Sequence, residues 1–225
     1  MFIYVIRHGE PDYSTDTLTE LGQKQAELLA ERFSDKIFDR IFSSPLGRAK
    51  QTAMPTCIKQ NKSLEELPWL SEKSAFNAMS TIINGERNWW FSVQNTRIRK
   101  FDDAQKLATD QSKSFYDSVS ADYNNFLLEM GYKKCDEGYR IINDEYNRIA
   151  LFCHDGISRV FLSYALSIPF HTFCGSFSIP HSGVTVLNFE STKDRVTAPR
   201  CLVFSDLSHL YTTGMKRNYN NELEI

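Results

Sequence analysis

The apolar and polar positions at the amino-terminal end of the chain predict alternating strands and helices. Residues 2–6 are an uninterrupted run of β-branched, aromatic and other apolar residues, the pattern of a strand buried on both faces. A helix follows a polar turn, with Thr17 and Thr19 as alternative caps. A short strand over residues 39–43 precedes a second helix that opens at Arg48. This order is typical of an α/β fold.

The middle of the chain has a different pattern. Strand patterns become sparse, and apolar residues recur at helical spacing over residues 115–130. We therefore expect one domain over residues 1–225, in which residues 73–147 form a largely helical insertion. The later strand candidates are residues 139–142, 148–153, 184–189 and 200–205, and a helix is predicted over residues 156–167.

Side chains that can bind or attack phosphate follow three of the predicted strands. Arg7 and His8 follow the first strand, Arg48 follows the second, and His154 comes directly after Cys153 at the end of another. Because ligands of α/β proteins bind outside the carboxyl ends of the strands, we expect these groups in one crevice. Each residue alone has an ordinary structural interpretation. Together, two guanidiniums and two imidazoles form an anion site that fits the geometry of a phosphoryl group.

Such a site can carry out phosphoryl transfer through the protein's own groups. A neutral imidazole can attack phosphorus and form a covalent phosphohistidine, while the remaining donors stabilise the charge on the equatorial oxygens. We expect no metal and no cofactor, because the sequence shows no metal-ligand spacing. The five cysteines are scattered without a C-x-x-C pair, which favours reduced thiols.

Net charge and hydropathy limit the expected binding partners and the expected cellular location. The formal net charge of −2 favours neither nucleic acid nor an anionic membrane as a partner, so a small anionic ligand would have to be held by local charge. The arginines and histidines above make a small-molecule phosphate ester the expected ligand. No apolar stretch approaches the roughly 20 residues that cross a bilayer. We therefore expect a cytoplasmic protein.

These blocks resemble the histidine phosphatase superfamily, also called phosphoglycerate mutase-like. The resemblance is carried by Arg7-His8-Gly9-Glu10, residues 18–26, residues 43–53 and His154. It implies a three-layer α/β sandwich with a mostly parallel central sheet and a helical insertion. It also implies a metal-independent phosphatase of the histidine acid type, which hydrolyses a phosphomonoester through a phosphohistidine on His8. Members are commonly dimers, so a homodimer is an open alternative to a monomer.

The resemblance also assigns the site residues. It implies that Arg7, Arg48 and His154 bind the transferred phosphoryl group. Members use a carboxylic acid, commonly in a Leu-x-Glu stretch, that protonates the leaving oxygen, and Leu70-Ser71-Glu72 fits its position. Glu72 could instead be a solvated charge at the start of the insertion, and Glu65 and Glu66 are competitors nearby.

The sequence departs from the superfamily pattern at two positions near the expected site. Ser14 stands where many members have Asn, and its hydroxyl is a candidate phosphate donor of shorter reach. Asp155 follows His154, where members usually have Gly, and we expect it to cap the next helix or to orient an imidazole. His209 near the carboxyl terminus is interpreted as structural.

A basic and aromatic cluster lies between Arg87 and Lys100, with no acidic residue. One hypothesis is a lid over the phosphate crevice, in which Trp89, Trp90 and Arg97 hold the rest of the substrate. The alternative is that the rings anchor the insertion to the core while the charges face water.

Two further functions stay open at this point. A phosphoglycerate-type mutase would use the same phosphohistidine, but the Glu-Arg-His-Tyr-Gly stretch typical of such mutases is absent after Leu70. A non-catalytic phosphate-binding relative would keep the pocket without turnover. Retention of all the expected groups favours the phosphatase.

Overall fold

The computed structural model describes residues 1–72, 75, 80–83, 86–89, 110–211 and 213–215. The strands in chain order are β1 (Phe2–Arg7), β2 (Pro11–Asp12), β3 (Thr17–Leu18), β4 (Arg40–Ser43), β5 (Leu64–Glu66), β6 (Ser80–Ile83), β7 (Glu86–Trp89), β8 (Tyr132–Cys135), β9 (Gly138–Ile141), β10 (Arg148–Cys153), β11 (Val184–Asn188), β12 (Val196–Thr197) and β13 (Arg200–Asp206). The helices are α1 (Glu20–Arg32), α2 (Gly47–Gln60), α3 (Asp110–Glu129), α4 (Asp155–Ala165), α5 (Phe170–Ser176) and α6 (Ser208–Tyr211), with a 3-10 turn at Pro68–Leu70.

The central sheet has six strands in the order β13-β11-β1-β10-β4-β5. Strands β1, β10, β4 and β5 are mutually parallel, so their carboxyl ends share one edge. Strand β11 runs antiparallel to β1, and β13 runs antiparallel to β11. The predicted α/β class with a mostly parallel central sheet is confirmed.

Helices cover both faces of this sheet because the central strands are apolar on both faces. In β1, Ile3 and Val5 pack into one buried cluster with residues of α3 and α4. Ile6 packs into a second cluster with Leu29 of α1 and Ala53 of α2. Successive side chains of a strand point to opposite faces, so an uninterrupted apolar run serves both layers.

The described part of residues 73–147 contains strands as well as a helix. Strands β6 and β7 form an antiparallel hairpin, and α3 begins five residues before the predicted helix. The strand predicted over residues 139–142 forms as β9, but it pairs with β8 and β12 in a separate three-stranded sheet. That residues 73–147 form an insertion within one domain stays a prediction.

The loop after β1 is held by buried polar side chains of the two helices beside it. The N–H of Gly9 donates to Thr52 Oγ1 at 2.9 Å, and the N–H of Glu10 donates to Gln25 Oε1 at 2.8 Å. Helix α1 approaches this loop closely at Gly22. A Cβ at this position would lie 2.1 Å from the carbonyl oxygen of Glu10, so the close approach requires glycine. The loop therefore has little freedom to move.

Among the described helices, none has the length and hydropathy of a membrane span.

Candidate active site

His8 lies at the end of β1 with its protonation pattern fixed by its neighbours. Its N–H donates to the carbonyl of Cys153 at 2.9 Å, so β1 and β10 stay paired up to this residue. Its Nδ1 lies 2.7 Å from the carbonyl oxygen of Gly9. Because a carbonyl only accepts, Nδ1 carries the proton and Nε2 keeps its lone pair. Arg48 Nε donates to that Nε2 at 3.3 Å. His8 Nε2 is therefore the unprotonated ring nitrogen, the one that can act as a nucleophile.

The imidazole of His8 is held neutral. Burial is the largest cause, and the positive charge of Arg7 adds to it, so the pKa of His8 lies well below its ordinary value of 6.5. A neutral ring has the lone pair that nucleophilic attack needs.

Arg7 is anchored by two of its three guanidinium nitrogens. Its Nη1 donates to the carbonyl of Ile179 at 2.5 Å, and its Nη2 donates to His181 Nε2 at 2.9 Å. Its Nε is buried and has no hydrogen-bond partner within the described part of the chain. Arg7 thus keeps one buried donor for another acceptor.

Arg48 at the start of α2 is oriented by Asp16, which lies outside the sequence motifs. Asp16 accepts from Arg48 Nη1 at 2.5 Å and from the N–H of Gly47 at 2.7 Å. The backbone of Asp16 has φ +55°, a conformation that Asp tolerates better than most residues. The carboxylate holds the guanidinium beside the His8 ring.

His154 follows β10 and caps α4 with its backbone. Its Nε2 lies 2.8 Å from Ser44 Oγ, and its ring centre is 5.1 Å from that of His8. Its Nδ1 is buried and unpartnered among the residues described. Burial, followed by the charges of Arg48 and Arg7, lowers the pKa of His154 to about 2. The ring is therefore a neutral hydrogen-bonding group in the physiological range.

A third imidazole, His181, joins the site. It precedes the antiparallel strand β11, whose amino end lies at the edge where β1 and β10 end. Its ring centre is 5.4 Å from that of His8, and burial, then the charge of Arg7, lowers its pKa to about 3. His181 lies outside the sequence motifs that identify the other site residues. The pair His181-Ser182 just before a predicted strand was the available signal, but its use requires the direction of that strand.

Glu72 is buried against the amino terminus of α4. Its Oε1 accepts from the N–H of Gly156 at 2.9 Å, and its Oε2 accepts from the N–H of Ile157 at 3.0 Å. Burial, followed by the charge of Asp155, raises the pKa of Glu72 to about 7, although the two amides and Arg7 oppose this. A carboxyl group with this pKa can both give and take a proton near neutral pH.

The competing carboxylates of the sequence analysis lie in other contacts. Glu65 pairs with Arg40, with Oε1 2.9 Å from Nε, and Glu66 pairs with Lys50 at 3.0 Å. The hypothesis that Glu72 is a solvated charge is wrong, since its side chain is buried.

Asp155 does not cap α4, so the expected cap is a wrong prediction. The cap residue is His154, and Asp155 is the first residue inside the helix. Its carboxylate makes a paired contact with Arg159, at 2.7 Å to Nε and 3.1 Å to Nη2, and both side chains are buried. This i,i+4 ion pair directs the Asp155 carboxylate toward Arg159, one turn further along the helix. Asp155 also contributes the negative charge that raises the pKa of Glu72.

Other expected groups lie outside this constellation or outside the described residues. Ser14 is exposed, and its hydroxyl donates to Asp12 Oδ1 at 2.6 Å, so its role in phosphate binding stays a prediction. Of the cluster at residues 87–100, only the backbone of residues 87–89 in β7 lies among the described residues. The lid hypothesis therefore stays untested. His209 contacts Ser182 Oγ through Nε2 at 3.0 Å.

The arrangement as a whole is a preformed site for an anion. Arg7 Nε, His154 Nδ1 and His181 Nδ1 are buried without partners in the described ranges. Unpaired buried polar groups are costly, and a bound anion would accept from those that are N–H donors. Within those same ranges, no group of three or more His, Cys, Asp or Glu side chains has the arrangement of a metal site.

Comparison with known proteins agrees with the fold. The fold is that of phosphoglycerate mutase-like α/β proteins. Residues 3–112 match the model of the histidine phosphatase superfamily (branch 1). The resemblance to this superfamily is thereby confirmed.

Individual relatives are similar over different shares of the chain. A probable phosphoglycerate mutase of Photorhabdus laumondii is 37% identical over 60 residues, 23% of this chain and 28% of that protein. Phosphoserine phosphatase of Entamoeba histolytica is 21% identical with a TM-score of 0.61, covering 93% of this chain and 98% of that chain. A mycobacterial glucosyl-3-phosphoglycerate phosphatase is 18% identical with a TM-score of 0.61, covering 92% and 99%. A Mycobacterium tuberculosis protein is 27% identical over 107 residues, and this match covers 41% of this chain and 53% of that protein. The chain thus spans about half the length of this curated relative.

The buried acid generates a prediction about stability. Because the pKa of Glu72 is about 7 in the folded chain and 4.5 ordinarily, the folded state holds a proton that the unfolded state loses between these values. The stability of the wild type relative to Glu72→Gln should therefore be highest below pH 4.5 and fall by about 3 kcal/mol as the pH rises through 7.

Urea unfolding of both proteins from pH 4.5 to 8 measures this difference. The glutamine lacks one acceptor for the α4 amides at every pH, so this loss lowers the free energy of unfolding of the variant by the same amount at every pH. The quantity to compare is therefore the change with pH in the difference between the two unfolding free energies. A difference that does not change with pH would contradict a buried, proton-holding Glu72.

Proposed function

We propose that the chain is a metal-independent phosphatase that hydrolyses a phosphomonoester through a phosphohistidine on His8, a histidine acid-type mechanism. The observation that carries the proposal is the contact of His8 Nδ1 with the Gly9 carbonyl, which leaves Nε2 unprotonated and able to attack once a phosphoryl group takes the place of its contact with Arg48. That atom lies among buried donors on Arg7 and Arg48, with the ring of His154 alongside. A phosphoryl group placed there meets a nucleophile and its charge-stabilising groups together.

In the first step the lone pair of His8 Nε2 attacks phosphorus. The N–P bond forms as the bond from phosphorus to the ester oxygen breaks, and Glu72 gives its proton to the leaving alkoxide. The guanidiniums of Arg7 and Arg48 neutralise the equatorial oxygens. A carboxyl group with a pKa of about 7 is protonated in a large fraction of molecules near neutral pH, as this role requires.

In the second step the Glu72 carboxylate takes a proton from water. The water oxygen attacks phosphorus, the N–P bond breaks, and inorganic phosphate leaves with His8 neutral again. Glu72 ends protonated, so the cycle closes without any other acid or base.

The substrate class is a small phosphate ester. Two proteins of similar fold are a phosphoserine phosphatase and a glucosyl-3-phosphoglycerate phosphatase, which supports small phosphorylated metabolites as the first compounds to test. Another relative is a probable phosphoglycerate mutase, so transfer to a second hydroxyl is the second candidate function. Incubation with 3-phosphoglycerate and its bisphosphate separates the two, because a mutase yields 2-phosphoglycerate and a phosphatase yields inorganic phosphate.

The first prediction of the proposal is hydrolysis without added metal. The wild type should release nitrophenol from p-nitrophenyl phosphate in the presence of a chelator, and His8→Ala should abolish the release because the nucleophile is gone. His171→Asn, which changes a histidine on α5 away from the constellation, is the matched control and should retain activity. Equal rates for wild type and His8→Ala, or no turnover of any phosphate ester, would refute the proposal.

The second prediction separates the acid from the nucleophile. Nitrophenolate leaves without a proton, so Glu72→Gln should still release a burst of about one nitrophenol per site in the phosphorylation step. Release of serine from phosphoserine needs the acid, so that variant should lose about 10²–10⁴ in rate with an alkyl ester. Rapid-quench measurements of both products test this, and equal losses with the two leaving groups would exclude Glu72 as the acid.

A further inference from the structure

His181 has hydrogen-bonding capacity that the proposed reaction leaves unused. Its ring is 3% exposed and lies beside His8, with an angle of 34° between the two ring planes. Its Nε2 contacts Arg7 Nη2 at 2.9 Å. Its Nδ1 is buried and has no partner in the described part of the chain.

The contact with Arg7 decides where the proton of His181 lies. A guanidinium nitrogen only donates, so His181 Nε2 must be the acceptor. A second proton on that nitrogen would break the contact and place a third positive charge among the two arginines. The neutral ring therefore carries its proton on Nδ1, and Nδ1 is a buried donor without an acceptor.

The backbone around His181 is fixed to the strand that carries the nucleophile. The N–H of Ser182 donates to the carbonyl of His8 at 3.1 Å, and the N–H of Arg7 donates to the carbonyl of Gly183 at 3.1 Å. Ser182 adopts φ +58°, and its hydroxyl contacts His209 Nε2 at 3.0 Å. These contacts hold the backbone that directly follows His181 against β1.

We propose that His181 is a phosphoryl-binding residue, whose Nδ1–H donates to an oxygen of the transferred group while its Nε2 holds Arg7 in place. The inference rests on the proposed function, because it places the phosphoryl group at His8 Nε2. It adds a third imidazole to the two that the sequence motifs identify. Because this buried donor has no acceptor in the described part of the chain, it gains one when the anion binds, and the contact favours the bound state.

Two substitutions separate the donor from the anchor. The amide of glutamine reaches the place of the ring Nε2 and can accept from Arg7, whereas the amide of asparagine reaches the place of Nδ1 and can donate to the anion. His181→Gln should bind orthovanadate about 10- to 100-fold more weakly than the wild type, as expected for a lost hydrogen bond to a charged group. His181→Asn should bind it more tightly than His181→Gln.

Calorimetric titration with orthovanadate measures these affinities without turnover. Wild-type affinity in His181→Gln would overturn the inference, and so would weaker binding by His181→Asn than by His181→Gln, which would indicate an anchor for Arg7 alone. If the wild type neither binds orthovanadate nor hydrolyses phosphate esters, the proposed function itself fails. If the wild type does both and His181→Gln is unchanged, only the role of His181 fails.

A measurement on the unaltered chain covers the case in which a variant does not fold. The protein has five histidines, so their ring nitrogens can be followed by NMR after labelling with ¹⁵N-histidine. Addition of inorganic phosphate should shift the Nδ1–H proton of His181 downfield as it gains an acceptor, while the ring signals of His171 should stay in place. An Nδ1–H signal of His181 that does not respond at saturating phosphate would overturn the inference.

Discussion

The site depends on the register between β1 and its two neighbours. β1 pairs in parallel with β10 from Phe2↔Arg148 to Arg7↔Cys153, and His8 and His154 are the next residues on each strand. On the other side, β11 pairs antiparallel with β1 up to Ile6↔Val184, which places His181 three residues before that last pair. Because successive side chains of a strand point to opposite faces, a slip by one residue would turn the side chain of His8 to the other face of the sheet, so the register fixes the position of the chemistry.

The second constraint is the electrostatic cost of keeping arginines inside a buried site. Arg7 and Arg48 are mostly buried, and their charges help to lower the pKa of His154 and, for Arg7, of His8 and His181. The imidazoles are therefore neutral and hydrogen-bonding rather than cationic. The same charges that favour an anion thus also help to keep the nucleophile unprotonated. Binding and attack depend on one arrangement of charge.

Much of the fold and of the site was predictable because patterns along one strand and its end are local. The strands before His8 and His154 are long apolar runs, and both residues follow their ends. By contrast, β5 is short and only partly buried, so it lacks a clear pattern. His181 depends on the direction of a strand, and the turn of Asp155 toward Arg159 depends on burial, neither of which a sequence displays.

The central claim is that His8 attacks through Nε2, because Nδ1 is bonded to the Gly9 carbonyl. The most direct test is to quench the protein within the first turnover of ³²P-labelled p-nitrophenyl phosphate in alkali and to identify the phosphorylated residue and nitrogen by peptide mass spectrometry and NMR. The account predicts one phosphoryl group on His8, as the Nε2 isomer. Label on Nδ1, label on another residue, or no covalent label during active turnover would contradict it.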